Sequence, residues 1–186
     1  MSFFDSLKKA ADNVVKSVGN ETKEFVFDSI PTNLAELKAR PEANLSDPFG
    51  VVALYIVSLC IYPANSDASF EMVDFLKGPS PLSPMEKSFI KDRFSDKDYV
   101  PRSYFKGATP DNNYTPAEPA TIAVSELAHS HDVGENRVTL YITSGGADSP
   151  RGITLRKKPS TGEWFIENDP GSLAGIRVPK AADPWA

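Results

Sequence analysis

The chain is poor in the residues that announce chemistry. Among its 186 residues there is one cysteine and there are two histidines. A lone thiol excludes an internal disulfide framework, and Cys60 lies inside the apolar run Val51 to Ile61, where a thiol packs as a small hydrophobe in a chain suited to a reducing cytosol. Long hydrophobic runs are missing too. The longest, Phe49 to Tyr62, falls short of the roughly 20 residues that cross a bilayer, so it reads as a buried helix. No basic start, apolar stretch and small-residue cleavage site combine into a secretory signal, and a cytoplasmic location is expected. An excess of one charge is also lacking: 20 basic side chains are interspersed with 25 acidic ones for a formal charge of -5, which leaves no electrostatic footprint for nucleic acid.

What is present is an ordinary soluble composition, 40% hydrophobic and 24% charged, enough for one core. Residues 25–186 are expected to form that single domain, with residues 1–24 as a separate amphipathic helix and linker. In Ser2 to Val18 the residues Phe4, Leu7, Ala11, Val14 and Val18 make one stripe, and Gly19 is a natural stop. Phe3, Phe4, Leu7 and Val14 are the side chains expected to meet a partner or a membrane surface; the lysines favour the membrane, whereas Asp5 and Asp12 oppose it.

The first half of the domain reads as helices. Phe25 to Asp28 is a short strand candidate, and Pro31-Thr32 opens a small helix through Ala39. Asp47 with Pro48 starts a helix that is apolar nearly all round. Ser66 caps the next, which ends at Gly78. Ser83 with Glu86 is a capping box, with Pro84 in the tolerated first position, and predicts a helix from Pro84 to Phe94 whose apolar edge is Phe89, Ile90 and Phe94. The last third alternates apolar and polar residues over Thr121 to Leu127, Arg137 to Thr143, Gly152 to Lys158 and Glu163 to Glu167, with a further candidate at Gly175 to Val178. Turn chemistry between these runs predicts an antiparallel meander, so the fold class is α+β with helices packed on one face of a four- or five-stranded sheet.

No reaction centre emerges from the motifs. His129-Ser130-His131 lacks the third and fourth ligands a stable metal site needs, and Ser130 sits on no Gly-x-Ser-x-Gly elbow. Gly145-Gly146 follows a strand but leads into another strand, without the helix dipole that makes phosphate loops effective. Asp111-Asn112-Asn113 lacks the calcium-loop pattern. No cofactor, metal or catalytic residue is assigned. The strongest candidates are recognition surfaces: Arg93, Tyr99, Arg102, Tyr104, Asn112, Asn113 and Tyr114 in and before the long connection 95–119, and Tyr141, Arg156 and Phe165 on the wetter sheet face. Aromatics on such a loop equally serve as staples onto a core.

The runs Leu76-Lys77-Gly78-Pro79-Ser80-Pro81-Leu82-Ser83-Pro84-Met85-Glu86-Lys87, Tyr99-Val100-Pro101-Arg102-Ser103-Tyr104-Phe105, Gly107-Ala108-Thr109-Pro110-Asp111-Asn112-Asn113-Tyr114-Thr115-Pro116, Gly145-Gly146-Ala147-Asp148-Ser149-Pro150 and Asp183-Pro184-Trp185-Ala186 resemble an uncharacterised bacterial family classed as a domain of unknown function. The resemblance covers Phe25 to Ala186 and implies a bacterial, intracellular protein, with no activity to carry over. Helices followed by a curved meander are also similar to cystatin-like and nuclear-transport-factor-like cones, an analogy of fold only. The expected function is a non-catalytic binding or assembly module with a protein partner. The alternative is a small enzyme or ligand-binding protein with a cavity between helices and sheet, using Asp92, Tyr104 or Asp148 as acid or base.

Overall fold

A computed structural model describes residues 21–185. The amphipathic segment expected at the start of the chain, with Phe3, Phe4, Leu7 and Val14, lies outside the described residues. The element order is β1 (Thr22–Phe27), α1 (Leu34–Lys38), α2 (Pro48–Cys60), α3 (Ser66–Lys77), α4 (Pro84–Arg93), β2 (Ala120–Ser125), β3 (Arg137–Ile142), β4 (Arg151–Lys157) and β5 (Trp164–Asn168), with short 3-10 turns between several of them. The sheet follows chain order, β1-β2-β3-β4-β5, and every pairing is antiparallel. The fold is α+β, as the pattern implied.

Two differences from the sequence reading concern strands. The stretch taken as a linker through Glu24 is already β1, paired from Thr22↔Ser125 to Phe27↔Ala120. Its polar look comes from being an edge strand: Thr22, Glu24 and Val26 face outward, while Phe27 is buried and Phe25 half-buried. Gly175 to Val178 forms no strand. There the Arg151 guanidinium takes the Ala174 and Gly175 carbonyls, and Arg177 donates a single backbone bond to Gly146, so side-chain and isolated bonds replace a ladder.

α2 is the centre of the molecule. Its run from Phe49 to Leu59 is buried without interruption, because the sheet packs against it together with α3 and the 3-10 turns Pro41–Asn44 and Pro101–Tyr104. Asp47 caps its first turn through the Phe49 amide, with Pro48 at the first helical position. Val138, Leu140 and Ile142 of β3, Ile153 and Leu155 of β4 and Ile166 of β5 complete the core from the sheet. On the opposite side Ser69 Oγ donates to the Ser58 carbonyl at 2.8 Å, and Met72, Val73 and Leu76 of α3 are buried. Small polar residues here let the two helices approach closely without stranding a hydroxyl.

The sheet curls around α2, and one short stretch reaches both of its edges. Arg40 donates to the Val26 carbonyl on β1 at 3.0 Å and stacks on Phe27, while the Leu45 carbonyl accepts from the Trp164 amide on β5 at 2.8 Å.

The long connection 95–119 is ordered by internal bonds. Asn112 organises its tip: its Oδ1 accepts from the Thr109 and Thr115 amides, and its Nδ2 donates to the Gly107 and Thr115 carbonyls. The Gly145-Gly146 turn packs directly on this loop. A Cβ on Gly145 would stand 1.9 Å from the Ala108 carbonyl oxygen, and one on Gly146 would stand 1.9 Å from the Tyr114 hydroxyl. Only glycine permits that approach. The Gly145 amide donates to the Ser103 carbonyl and the Gly146 amide to Ser144 Oγ, so neither amide is left to cradle an anion.

Candidate functional site

The sequence candidates fall into two groups. Tyr99, Tyr104 and Tyr114 are buried. Tyr99 stacks on Tyr114 with ring centroids 5.4 Å apart, Tyr104 donates to the Ser172 carbonyl at 2.5 Å, and Tyr114 donates to the Arg177 carbonyl at 2.7 Å. Burial lifts all three phenols above their ordinary range, Tyr114 to about 12. These rings staple the connection to the core and offer no free surface. Asn112 is spent on the loop tip, and Asn113 accepts from the Ala181 amide at 3.4 Å. Arg102 pairs with Asp98 at 3.4 Å, at the edge of an apolar recess containing Cys60. Burial pushes the Cys60 thiol up to about 12, which keeps it protonated and unreactive.

The residues put forward for an acid-base role do not converge. Asp92 is exposed on α4, Asp148 pairs with Arg177 on the surface, and Tyr104 is sealed against Ser172. His129 meets Asp132 and His131 meets Glu126, each a local contact of the turn. Among the described residues no group of three metal-ligating side chains comes together.

The sheet-face candidates divide as well. Tyr141 lies across from Gly152, its ring against the bare backbone. Arg156 and Phe165 are cross-strand partners on β4 and β5. They line a groove of about 220 Å³, together with Pro79 and Ser80, the stem of Lys77, and the hairpin residues Lys157 and Lys158. Phe165 forms its wall because Gly78, which ends α3 with φ +55°, leaves room for the ring; a Cβ there would stand 2.3 Å from it.

Lys77 is the pivot of this region. Its side chain is only 7% exposed, and its Nζ reaches Glu86 Oε1 at 3.1 Å. Glu86 is fixed by the capping box: the Ser83 amide and hydroxyl donate to its Oε2 at 2.8 and 2.7 Å. Burial would raise the Glu86 carboxyl, but the Ser83 bonds and the Lys77 ammonium outweigh it and hold the group below its ordinary range. This clasp joins the end of α3 to the start of α4.

On the far side of Lys77 a second recess of about 110 Å³ is lined by Leu82, Phe89, Ile90 and Leu173, with Tyr55 and Asp169 at its base. Lys77 and Ile166 line both recesses. At the base Tyr55 donates to Asp169 Oδ2 at 2.9 Å, and Asp169 also receives the Ser172 amide and hydroxyl. Burial, then the Asp169 charge, pushes the Tyr55 phenol well above its ordinary range, so it serves as a fixed hydrogen-bond donor. The rim is α4. That helix buries only Ile90, leaving Phe89 41% and Met85 82% exposed, one turn apart on the same face. Arg93 stacks on Phe89 with its guanidinium carbon 4.8 Å from the ring centroid, and its Nε is buried without a partner.

Lys77, Met85, Phe89, Lys157 and Lys158 were not among the sequence candidates. Phe89 entered the sequence reading only as part of the apolar edge of α4, and Lys77 only within the run Leu76 to Lys87 that carries the family resemblance. The available signal was the charged composition of α4, which left Met85 and Phe89 as its only large apolar residues beside Ile90.

An α+β domain with an antiparallel meander wrapped around one apolar helix is thus the class of this chain. A family model described as a domain of unknown function (DUF6935) matches residues 29–180, and the chain belongs to that family. No curated protein and no solved structure gives a match. No helix among the described residues is long and apolar enough to cross a membrane.

Proposed function

We propose that this protein is a non-catalytic binding module, and that the double groove between α3, α4 and the β4–β5 hairpin is its docking surface. One observation carries the reading: half-exposed Phe89, with exposed Met85 one helical turn before it, lines a recess whose polar base is already hydrogen-bonded internally. Such a surface offers area to a partner and no poised proton-transfer group to a substrate. The filled core supports the same choice. Val52, Ile56 and Leu59 of α2 and Leu140, Ile153 and Leu155 of the sheet are all fully buried, where the enzyme alternative called for a cavity between helix and sheet.

A cytoplasmic setting belongs to this proposal, supported by the single cysteine, which leaves no internal disulfide. So does the amphipathic pattern of Phe3, Phe4, Leu7 and Val14, a second contact to a partner or a membrane surface. Removing residues 1–19 is expected to change sedimentation of the full chain or its flotation with liposomes; unchanged behaviour in both assays would remove that contact from the proposal.

The groove itself is tested by photo-crosslinking in living cells, with a benzophenone amino acid placed at Met85, Phe89 or Lys158 and, as a control, at exposed Val133. Adducts from the groove positions and none from the control are the expected result. A control pattern equal to the groove pattern, or no adduct from any groove position, would end the proposal.

A further inference from the structure

The charge of the groove tells what kind of partner it fits, granted that the groove is the docking surface proposed above. The chain as a whole carries a formal charge of -5. The recess at the β4–β5 hairpin reverses that sign: its ionisable lining is Lys77, Arg156, Lys157 and Lys158 against one carboxylate, Glu167. That carboxylate is already engaged, accepting from Arg137 Nε and Nη2 at 2.7 and 3.0 Å, with Arg156 3.6 Å away on its other side. Hydrogen bonds from Arg137 first, then its charge and that of Arg156, keep Glu167 ionised, and one carboxylate cannot balance these cations. The Lys77 ammonium is paired with Glu86 at 3.1 Å, so the positive excess of this recess rests on Arg156, Lys157 and Lys158.

Apolar surface runs alongside the cations. Phe165 and Pro79 wall the basic recess, and on the other side of Lys77 the lining changes to Leu82, Phe89 and Ile90, with the carboxylates of Glu86 and Asp169 there engaged by Lys77 and Ser83 and by Tyr55 and Ser172. A ligand occupying both recesses therefore needs acidic groups at one end and an apolar side chain at the other. A simple inorganic anion has no apolar part, and a nucleic acid would meet cations in one recess only, followed by a bare apolar rim. We infer that the groove binds an acidic peptide segment of a partner protein, its carboxylates over Arg156, Lys157 and Lys158 and a large apolar side chain against Phe89 and Leu82. Complementary charge would set its rate of capture and its register, and the apolar contact would hold it.

The test is a selection of random peptides displayed on phage against the immobilised full chain, followed by fluorescence anisotropy of the selected sequences. The expected outcome is a consensus enriched in Asp and Glu with one aromatic or long aliphatic residue. Binding of those peptides should weaken by about tenfold or more in Arg156→Glu and Lys158→Glu, both exposed positions whose substitution leaves the circular dichroism spectrum unchanged, and should fall with added salt. A neutral or basic consensus, or acidic peptides indifferent to both charge reversals, overturns the inference. So does a single-stranded RNA oligonucleotide or inorganic phosphate that binds the same positions more tightly than the selected peptides. If the consensus is neutral and apolar yet binding is lost in Phe89→Ser, the acidic occupant is refuted while the groove stands as the docking surface. If no peptide is enriched at all, the inference falls, and the crosslinks from Met85 and Phe89 decide separately whether the groove is used.

Discussion

The connection 95–119 and the groove beside α4 make an instructive pair. The connection is rich in tyrosine, asparagine and arginine, the side chains most often met on recognition surfaces, yet its tyrosine rings are buried and two of its three tyrosine hydroxyls find a backbone carbonyl, Tyr104 at Ser172 and Tyr114 at Arg177. The groove is made of an unremarkable Lys-Gly-Pro-Ser run, a Lys-Lys hairpin and a short charged helix, yet it exposes Met85 and Phe89 and gathers cations. Residue type alone did not separate them. What separates them is whether the fold supplies an internal partner for the polar end of each side chain.

That contrast predicts an order of effects. The largest should come from Gly145→Ala or Gly146→Ala, which drive a methyl into the Ala108 carbonyl or the Tyr114 hydroxyl; a loss of about 3 kcal/mol or more is expected from urea unfolding, because both loop and turn must shift. Wild-type stability in either variant would mean the loop does not rest on that turn.

Next, Tyr104→Phe and Tyr114→Phe each strand a carbonyl and should cost about 1–2 kcal/mol by the same measurement, with peptide binding at the groove unaltered. Met85→Ser and Phe89→Ser should do the reverse, leaving stability within about 0.5 kcal/mol while abolishing crosslinks and binding. If the tyrosine variants weakened binding and the α4 variants did not, the roles assigned to the two regions would be exchanged.

The smallest effect concerns acid. Glu86 is held below its ordinary range in the folded chain, so its clasp with Ser83 and Lys77 contributes stability above the unfolded carboxylate pKa and loses it as pH falls through the lowered folded value. Glu86 is about half exposed, so solvent limits the Lys77 pair to below about 1 kcal/mol. Glu86→Gln should flatten the acid limb of a stability-against-pH curve while leaving the Glu167 contribution in place; an unchanged limb would show that the clasp is not coupled to folding.

Much of the fold was legible because its signals are local. The Ser83–Glu86 capping box, Asp47 before Pro48 and the alternation of Val138, Leu140 and Ile142 each specify an element without reference to the rest of the chain. The end assignments failed where local signals mislead. Thr22 to Glu24 is polar because β1 is an edge strand, and Gly175 to Val178 alternates like a strand yet rests on the core only through Ile176 and forms no ladder. The groove was the least legible part. Lys77, Glu86, Phe89, Lys157 and Phe165 come from four elements, and Lys77 is buried only because α4 folds back over it. No spacing in the chain encodes that encounter.

The pairing of Thr22 with Ser125 has a further meaning for synthesis. A ribosome delivers β1 and the mostly apolar α2 long before the strands that shelter them, so the nascent chain passes through a stage in which Val51 to Leu59 has no sheet to lie against. A translation product halted ahead of Ala120 would carry that greasy cylinder uncovered and would depend on chaperones until the meander arrived.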